Sequence, residues 1–208
     1  MASRPQDSFW THDYSKEYVR KNSSFNNELG RDCWRRMLDK ASLVGRNYLE
    51  VGCNIGRNID QLSLLDPGLK PSAVEINREA LDYVLSRHQL VHACCSPVQD
   101  AQLPSSSFEL VFTCGVLIHI PPEDLLGVMK KMYHWSSRYV LFSEYFNRTP
   151  VSLEYQGRKD VLFKRDFGAL FLDNYDVKVV DYGFWWGKIY DEAGFADVTW
   201  WLFEKVQP

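Results

Sequence analysis

Short apolar runs, each closed by a turn residue or an acid, alternate along this chain with stretches whose apolar residues recur at helical spacing. That alternation constrains the fold most. Strands separated by helices pair in parallel through right-handed crossovers, which leaves helices on both faces of one sheet. The runs are Asn47–Val51 closed by Gly52, Ser72–Ile76 closed by Asn77, Leu90–Ala93, Phe108–Thr113 and Arg138–Ser143. Asn27–Ala41 sets Leu29, Cys33, Met37 and Ala41 on one helical stripe, and Asn77 is placed to cap a helix carrying Leu81, Val84 and Leu85. Pro121, Pro122, Glu123 and Asp124 open a further helix with acids at its positive end, and its buried stripe is Leu125, Val128, Met129 and Met132. A last helix is expected near Arg165–Leu172. Two aromatic-rich strands follow, Val177–Phe184 and Val198–Glu204, and with no clear helix between them they are expected to pair as an antiparallel edge. The expectation is an α/β fold: a three-layer α/β/α sandwich with a mostly parallel seven-stranded sheet, residues 1–208 forming one domain.

Composition narrows the class of partner. With 208 residues, 45% apolar and 25% charged, the chain is long enough for one full core. A net charge of −3 argues against a protein that coats duplex nucleic acid, whose footprint is a basic face. No apolar run reaches the roughly 18 residues of a membrane span, and Met1–Asp7 lacks the apolar centre of a signal peptide, so a cytoplasmic protein is expected. Five cysteines with no CxxC pair and no zinc-ligand spacing point to reduced thiols and no metal site. Trp185, Trp186, Trp200 and Trp201 crowd the last 25 residues and suit either the core of the edge hairpin or a dimer surface, leaving monomer and homodimer both open.

Ligands of such sheets sit beyond the carboxyl ends of the strands, so the loop after the first strand is the first candidate. In Leu49-Glu50-Val51-Gly52-Cys53-Asn54-Ile55-Gly56, two glycines allow the backbone to turn sharply and approach a ligand, and Asn54 tolerates a positive φ between them. The GxGxxG pattern of dinucleotide binding is absent. Glu50 ends the first strand, where a carboxylate suits a cationic amino group. Glu75 ends the second, 25 residues on, where it suits the two hydroxyls of a ribose. An ammonium, a ribose and close backbone with no pyrophosphate describe S-adenosylmethionine better than NAD. Over residues 45–145 the chain resembles the class I S-adenosylmethionine-dependent methyltransferases, on LEVGCNIG, AVEIN, FELVFTCGVLIHI and the proline-rich helix start that follows. Asn54 stands where that family usually has glycine. The resemblance implies a Rossmann-like sheet and a cofactor site of Glu50, Gly52, Asn54, Gly56, Glu75, Ile76, Ser96, Cys114 and Gly115, with adenine near Cys95, Ser96 and Pro97. The competing readings are an NAD(P)-dependent oxidoreductase and a non-catalytic nucleoside-binding module. An amino-methylating nucleic-acid enzyme is disfavoured, because Thr113-Cys114-Gly115-Val116 stands where its Asn/Asp-Pro-Pro-Tyr/Phe signature belongs.

The flanks carry a second resemblance. Phe9-Trp10, Tyr14 and Tyr18-Val19-Arg20-Lys21-Asn22 are similar to the opening of methyltransferases associated with pseudaminic acid biosynthesis, as are the run Glu144–Pro150, Tyr155–Arg158 and Leu162–Phe167. It implies small-molecule biosynthesis on a polar, sugar-like acceptor, with O-methylation favoured. Residues 1–26 are expected to cap the cofactor through Tyr18, Arg20 and Asn22. Residues 144–175 are expected to build the acceptor site, with Tyr14, Asn147, Tyr155, Arg158, Lys164 and Arg165 binding a hydroxylated carboxylate or phosphate. A hydroxyl acceptor must lose a proton, and His119 is the candidate base, with Glu144 and Tyr145 as rivals. His119 equally suits a satisfied half-buried position, and a carboxylate acceptor needs no base.

Overall fold

The computed structural model describes residues 10–11, 25–155 and 157–206. In chain order the elements are α1 (Asn27–Leu38), β1 (Asn47–Val51), α2 (Arg57–Leu65), β2 (Lys70–Glu75), α3 (Arg78–Leu85), β3 (Ala93–Cys95) and β4 (Phe108–Cys114). A 3-10 turn at Leu117–His119 leads into α4 (Pro122–Trp135), β5 (Ser136–Glu144), β6 (Val151–Tyr155), β7 (Arg158–Lys164) and α5 (Phe167–Asn174). The chain finishes with β8 (Val177–Trp185), α6 (Gly187–Tyr190), a 3-10 turn at Asp191–Ala193 and β9 (Val198–Lys205). Seven strands form one sheet in the order β3-β2-β1-β4-β5-β9-β8, parallel except that β9 runs antiparallel to both β5 and β8. The expected sandwich and its antiparallel edge are therefore present.

Alternating residues of the central strands fill the two faces. Leu110, Phe112, Tyr139 and Leu141 pack with Trp34 and Met37 of α1, while Val111, Val140 and Phe142 pack with α4 and with Phe167 and Phe171 of α5. All are almost fully buried, and burying an apolar side chain of this size is worth about 1.5–3 kcal/mol. Trp185, Trp200 and Trp201 belong to this core, and only Trp186 of the four terminal tryptophans is exposed. Asn77 caps α3 as expected, its side chain accepting from the Ala80 amide at 3.2 Å. Glu109 fixes the entry to β1: its carboxylate accepts from the amides of Val44 (2.8 Å), Gly45 (2.7 Å) and Arg46 (3.1 Å).

The structure corrects or completes the reading at several points. The third strand is Ala93–Cys95 rather than Leu90–Ala93, because the parallel register sets Ala73, Val74 and Glu75 against Ala93, Cys94 and Cys95. Helix α2 occupies Arg57–Leu65, giving bounds to the helix that the alternation of strands and helices implies after β1. Within residues 144–175 the structure adds a hairpin that was not expected, β6 and β7 pairing antiparallel as a separate two-stranded sheet. The five thiols are free, but only Cys33 and Cys53 are buried, and Cys95 is exposed. Among the described residues no helix is long and apolar enough to cross a membrane, and no group of His, Cys, Asp or Glu could hold a metal ion.

Candidate active site

Sheet order reverses between β1 and β4, and at the carboxyl ends of these strands the loops part to form a cleft, as this topology requires. The bend after β1 is built on positive φ angles at Gly52 (+76°), Asn54 (+46°) and Gly56 (+82°). At Gly52 a Cβ atom would lie 2.5 Å from Val116 Cγ2, so a side chain is excluded by space as well as by backbone conformation. Glu75, buried at the tip of β2, reaches across. Its Oε2 accepts from the Asn54 amide at 2.7 Å and its Oε1 from the Asn77 amide at 2.8 Å. One carboxylate thus ties the loop after β1 to the loop after β2, and each oxygen keeps a lone pair. Burial pushes its pKa up, against the pull of those amides.

These loops border an open cavity whose lining includes Gly52, Asn54, Glu75, Ile76, Ser96 and Pro97, together with Trp10, Gln99, Cys114, Gly115, Val116 and His119. A second open cavity adjoins it, walled in part by Phe25, Arg57, Tyr145, Tyr155, Leu162, Lys164, Asp191 and Phe195. Cys114, Gly115 and His119 line both, so the end of β4 is where the two meet. Gly115 has φ +68° and open space within 4 Å of where its Cβ would stand, which leaves room for a ligand at that junction.

His119 is held from the hairpin. Its Nδ1 is 2.7 Å from the Val161 carbonyl oxygen of β7, an acceptor, so Nδ1 carries the proton and Nε2 is left as the ring's acceptor. Trp10 stands edge-on to the imidazole at 4.6 Å between centroids, and Tyr155 lies at 5.8 Å. Burial outweighs the Val161 bond and lowers the imidazole pKa to about 4, so the ring is neutral at pH 7.

The remaining expected residues divide. Of the cofactor set, Gly52, Asn54, Glu75, Ile76, Ser96, Cys114 and Gly115 line the first cavity, while Glu50 and Gly56 stand behind it and Cys95 turns outward. Glu50 is buried, its Oε1 accepting from Asn58 Nδ2 at 2.6 Å and its Oε2 without a partner; burial pushes its pKa up to about 8. Of the acceptor and catalytic sets, Tyr145, Tyr155 and Lys164 line the second cavity, with Lys164 Nζ 4.7 Å above the Tyr145 ring. Asn147, Arg158 and Arg165 line neither cavity. Asn147 bonds its own turn through the Thr149 carbonyl. Glu144, a rival for the base, also lies outside both cavities. Its carboxylate accepts from the amides of Val116 (3.1 Å), Leu117 (3.2 Å) and Ile118 (3.4 Å), and burial raises its pKa to about 7. Tyr14, Tyr18, Arg20 and Asn22 lie outside the described residues. Arg57 was not expected in the site, whereas Trp10 belongs to the segment expected to cap the cofactor. The aromatic run around Trp10 hinted at a cap, but nothing marked Arg57 beyond its place after Gly56.

Residues 49–137 match the model of a methyltransferase domain. No curated protein sequence matches the chain. Among solved structures, magnesium protoporphyrin IX methyltransferase from Synechocystis PCC 6803, determined with bound S-adenosylmethionine, is similar over 99% of this chain and 100% of that one, with 11% identity and a TM-score of 0.70. The N-methyltransferase NodS from Bradyrhizobium japonicum WM9 is similar over 88% of this chain and 99% of that one (16% identity, TM-score 0.63). A SAM-dependent methyltransferase from Leishmania major is similar over 85% and 72% (17% identity, TM-score 0.64). Strand order and the likeness to these structures give this chain a Rossmann-like methyltransferase fold, and residues 49–137 match a methyltransferase domain.

Proposed function

We propose that this protein transfers a methyl group from S-adenosylmethionine to a hydroxyl of a small, polar, sugar-like or anionic acceptor. The observation that carries the reading is the pair of cavities meeting at Cys114, Gly115 and His119, one edged by a strand-tip acid and the other by a neutral histidine, two tyrosines and a lysine.

The residues of the first cavity fit the cofactor. Glu75 keeps an acceptor lone pair on each oxygen for ribose hydroxyls, Ile76 and Pro97 offer apolar surface for a base, and Gly52 and Gly115 admit close backbone approach. The unpartnered, buried Oε2 of Glu50 is an acceptor suited to an ammonium just behind the bend. Bound there, S-adenosylmethionine supplies an activated methyl group on a sulfonium that is already a good leaving group. The protein's share is then alignment and exclusion of water, to which the apolar lining of Trp10, Val116 and Ile120 contributes. His119 contributes the remaining chemistry: with Nδ1 committed to Val161, Nε2 accepts the hydroxyl proton of the acceptor. Glu144 acts indirectly, holding the 116–118 amides and so the turn that carries His119. The likeness of the flanking segments to pseudaminic acid-associated methyltransferases supports a sugar-like acceptor.

Thermal melting with S-adenosylmethionine, S-adenosylhomocysteine and NAD tests the cofactor. The two sulfur nucleosides should raise the melting temperature in a concentration-dependent way and NAD should not. Release of S-adenosylhomocysteine across a panel of free and nucleotide-linked acidic sugars tests the acceptor. Stabilisation by NAD alone would overturn the assignment.

A further inference from the structure

Arg57 occupies an unusual place for a guanidinium. It is the first residue of α2, half-buried, and stands between two aromatic rings, 4.9 Å from the Phe25 centroid and 5.6 Å from that of Phe195. Its Nε is buried with no hydrogen-bond partner, and Nη2 only grazes Asn58 Oδ1 at 3.5 Å. Gly194, in the left-handed region at φ +83°, passes so close that a Cβ there would collide with the guanidinium, so the backbone after the Asp191–Ala193 turn packs directly on it. Two rings and a glycine hold the planar group in one orientation, and a fixed guanidinium fork matches a carboxylate or phosphate. The same cavity carries a second permanent cation, Lys164, against one acid among its described lining residues, Asp191; neither cation forms an ion pair with a described residue. Arg57 feels the buried Glu50 carboxyl without reaching ion-pair distance, and a half-buried cation so incompletely compensated costs free energy that an anionic ligand would recover.

We propose that Arg57, together with Lys164, forms an anion subsite in the second cavity that binds a carboxylate or phosphate group of the acceptor and selects acceptors carrying one. This rests on the methyltransferase reading above and replaces Arg158 and Arg165, which line neither cavity, as the acceptor's cationic contacts. The cofactor also carries a carboxylate, so the test separates the two sources.

Inorganic phosphate is titrated calorimetrically into protein saturated with S-adenosylhomocysteine, for the wild type, Arg57→Met, Arg57→Lys and Lys164→Met. Losing a charge-assisted pair should weaken phosphate about 10-fold to 100-fold in Arg57→Met, with Lys164→Met weakened and Arg57→Lys intermediate. S-adenosylhomocysteine affinity, measured on the same samples, should change no more than about threefold, which also reports that each variant is folded. Unaltered phosphate binding in Arg57→Met, or no phosphate binding by the wild type, overturns the subsite while leaving the methyltransferase reading intact. A tenfold or greater loss of S-adenosylhomocysteine in Arg57→Met with phosphate unaffected assigns the arginine to the cofactor instead and also overturns the proposal. Failure of the wild type to bind S-adenosylhomocysteine at all would remove the underlying reading itself.

Discussion

The imidazole of His119 is fixed by the main chain of Val161: Nδ1 donates to that carbonyl oxygen at 2.7 Å, joining the turn after β4 to the separate hairpin of β6 and β7. The bond selects one tautomer, and burial holds the ring neutral down to about pH 4.

At saturating cofactor, kcat should therefore not change through titration of His119 between pH 7 and about 5, with the histidine's acid limb near 4 instead of the ordinary 6.5. His119→Ala should lower kcat about 10²–10⁴-fold while leaving S-adenosylhomocysteine affinity close to wild type. A pH–rate series of both proteins checks this. Retention of most turnover in the alanine variant would mean that the acceptor ionises without a base.

Glu75→Gln leaves one carbonyl oxygen where two carboxylate oxygens now bond Asn54 and Asn77 and face the first cavity. S-adenosylhomocysteine should bind about 10-fold or more weakly, the usual worth of a charge-assisted hydrogen bond. Comparing adenosine with 2′,3′-dideoxyadenosine isolates the ribose: the wild type should discriminate between them and the variant should not. Equal discrimination in both proteins would separate Glu75 from the sugar.

Gly52→Ala combines a strained positive φ with a 2.5 Å collision against Val116 Cγ2. The expected destabilisation is about 1–3 kcal/mol, accompanied by loss of cofactor binding as the bend moves into the cavity. Adding Val116→Ala should recover part of the stability, since it relieves the collision but not the backbone strain. Denaturant melts of the single and double variants give the comparison.

Ligand-free protein should lose stability as pH rises from about 6.5 to 8. Glu50 titrates near 8 and Glu144 near 7 in the fold, both raised by burial from an unfolded value of 4.5. The native state therefore keeps protons that the unfolded chain has released, so their stabilisation is complete below pH 4.5 and disappears as pH climbs through 7 to 8. His119 has the opposite sign, but its contribution changes only between about 4 and 6.5. Glu50 alone accounts for about 2 kcal/mol across the window, one proton over ~1.5 pH units. Glu50→Gln should flatten the slope in thermal melts recorded at successive pH values.

An acid at the end of an apolar run is visible in a sequence, and Glu50, Glu75 and Glu144 all carry that signature. What each carboxylate meets is decided by the loop beside it. Glu75 edges a cavity, Glu50 sits behind the bend against Asn58, and Glu144 is consumed by three amides of the turn after β4. Strand limits were legible where both faces are buried, as at Asn47–Val51 and Phe108–Cys114. They slipped at β3, where Leu90–Ala93 looks more strand-like than the paired, partly exposed Ala93–Cys95. The hairpin of β6 and β7 escaped notice because Glu154, Arg158, Lys159, Asp160 and Lys164 interrupt any apolar alternation, and it pairs only with itself. Arg57 was hidden for a different reason: its neighbours Phe25 and Phe195 are distant in the chain, and only the folded topology brings them together.

Because the atom that orients the imidazole is a peptide oxygen, every residue type at position 161 supplies it. Exchanging a side chain of the hairpin therefore need not move the histidine's proton, provided the buried packing of Val161, Leu162 and Phe163 is kept.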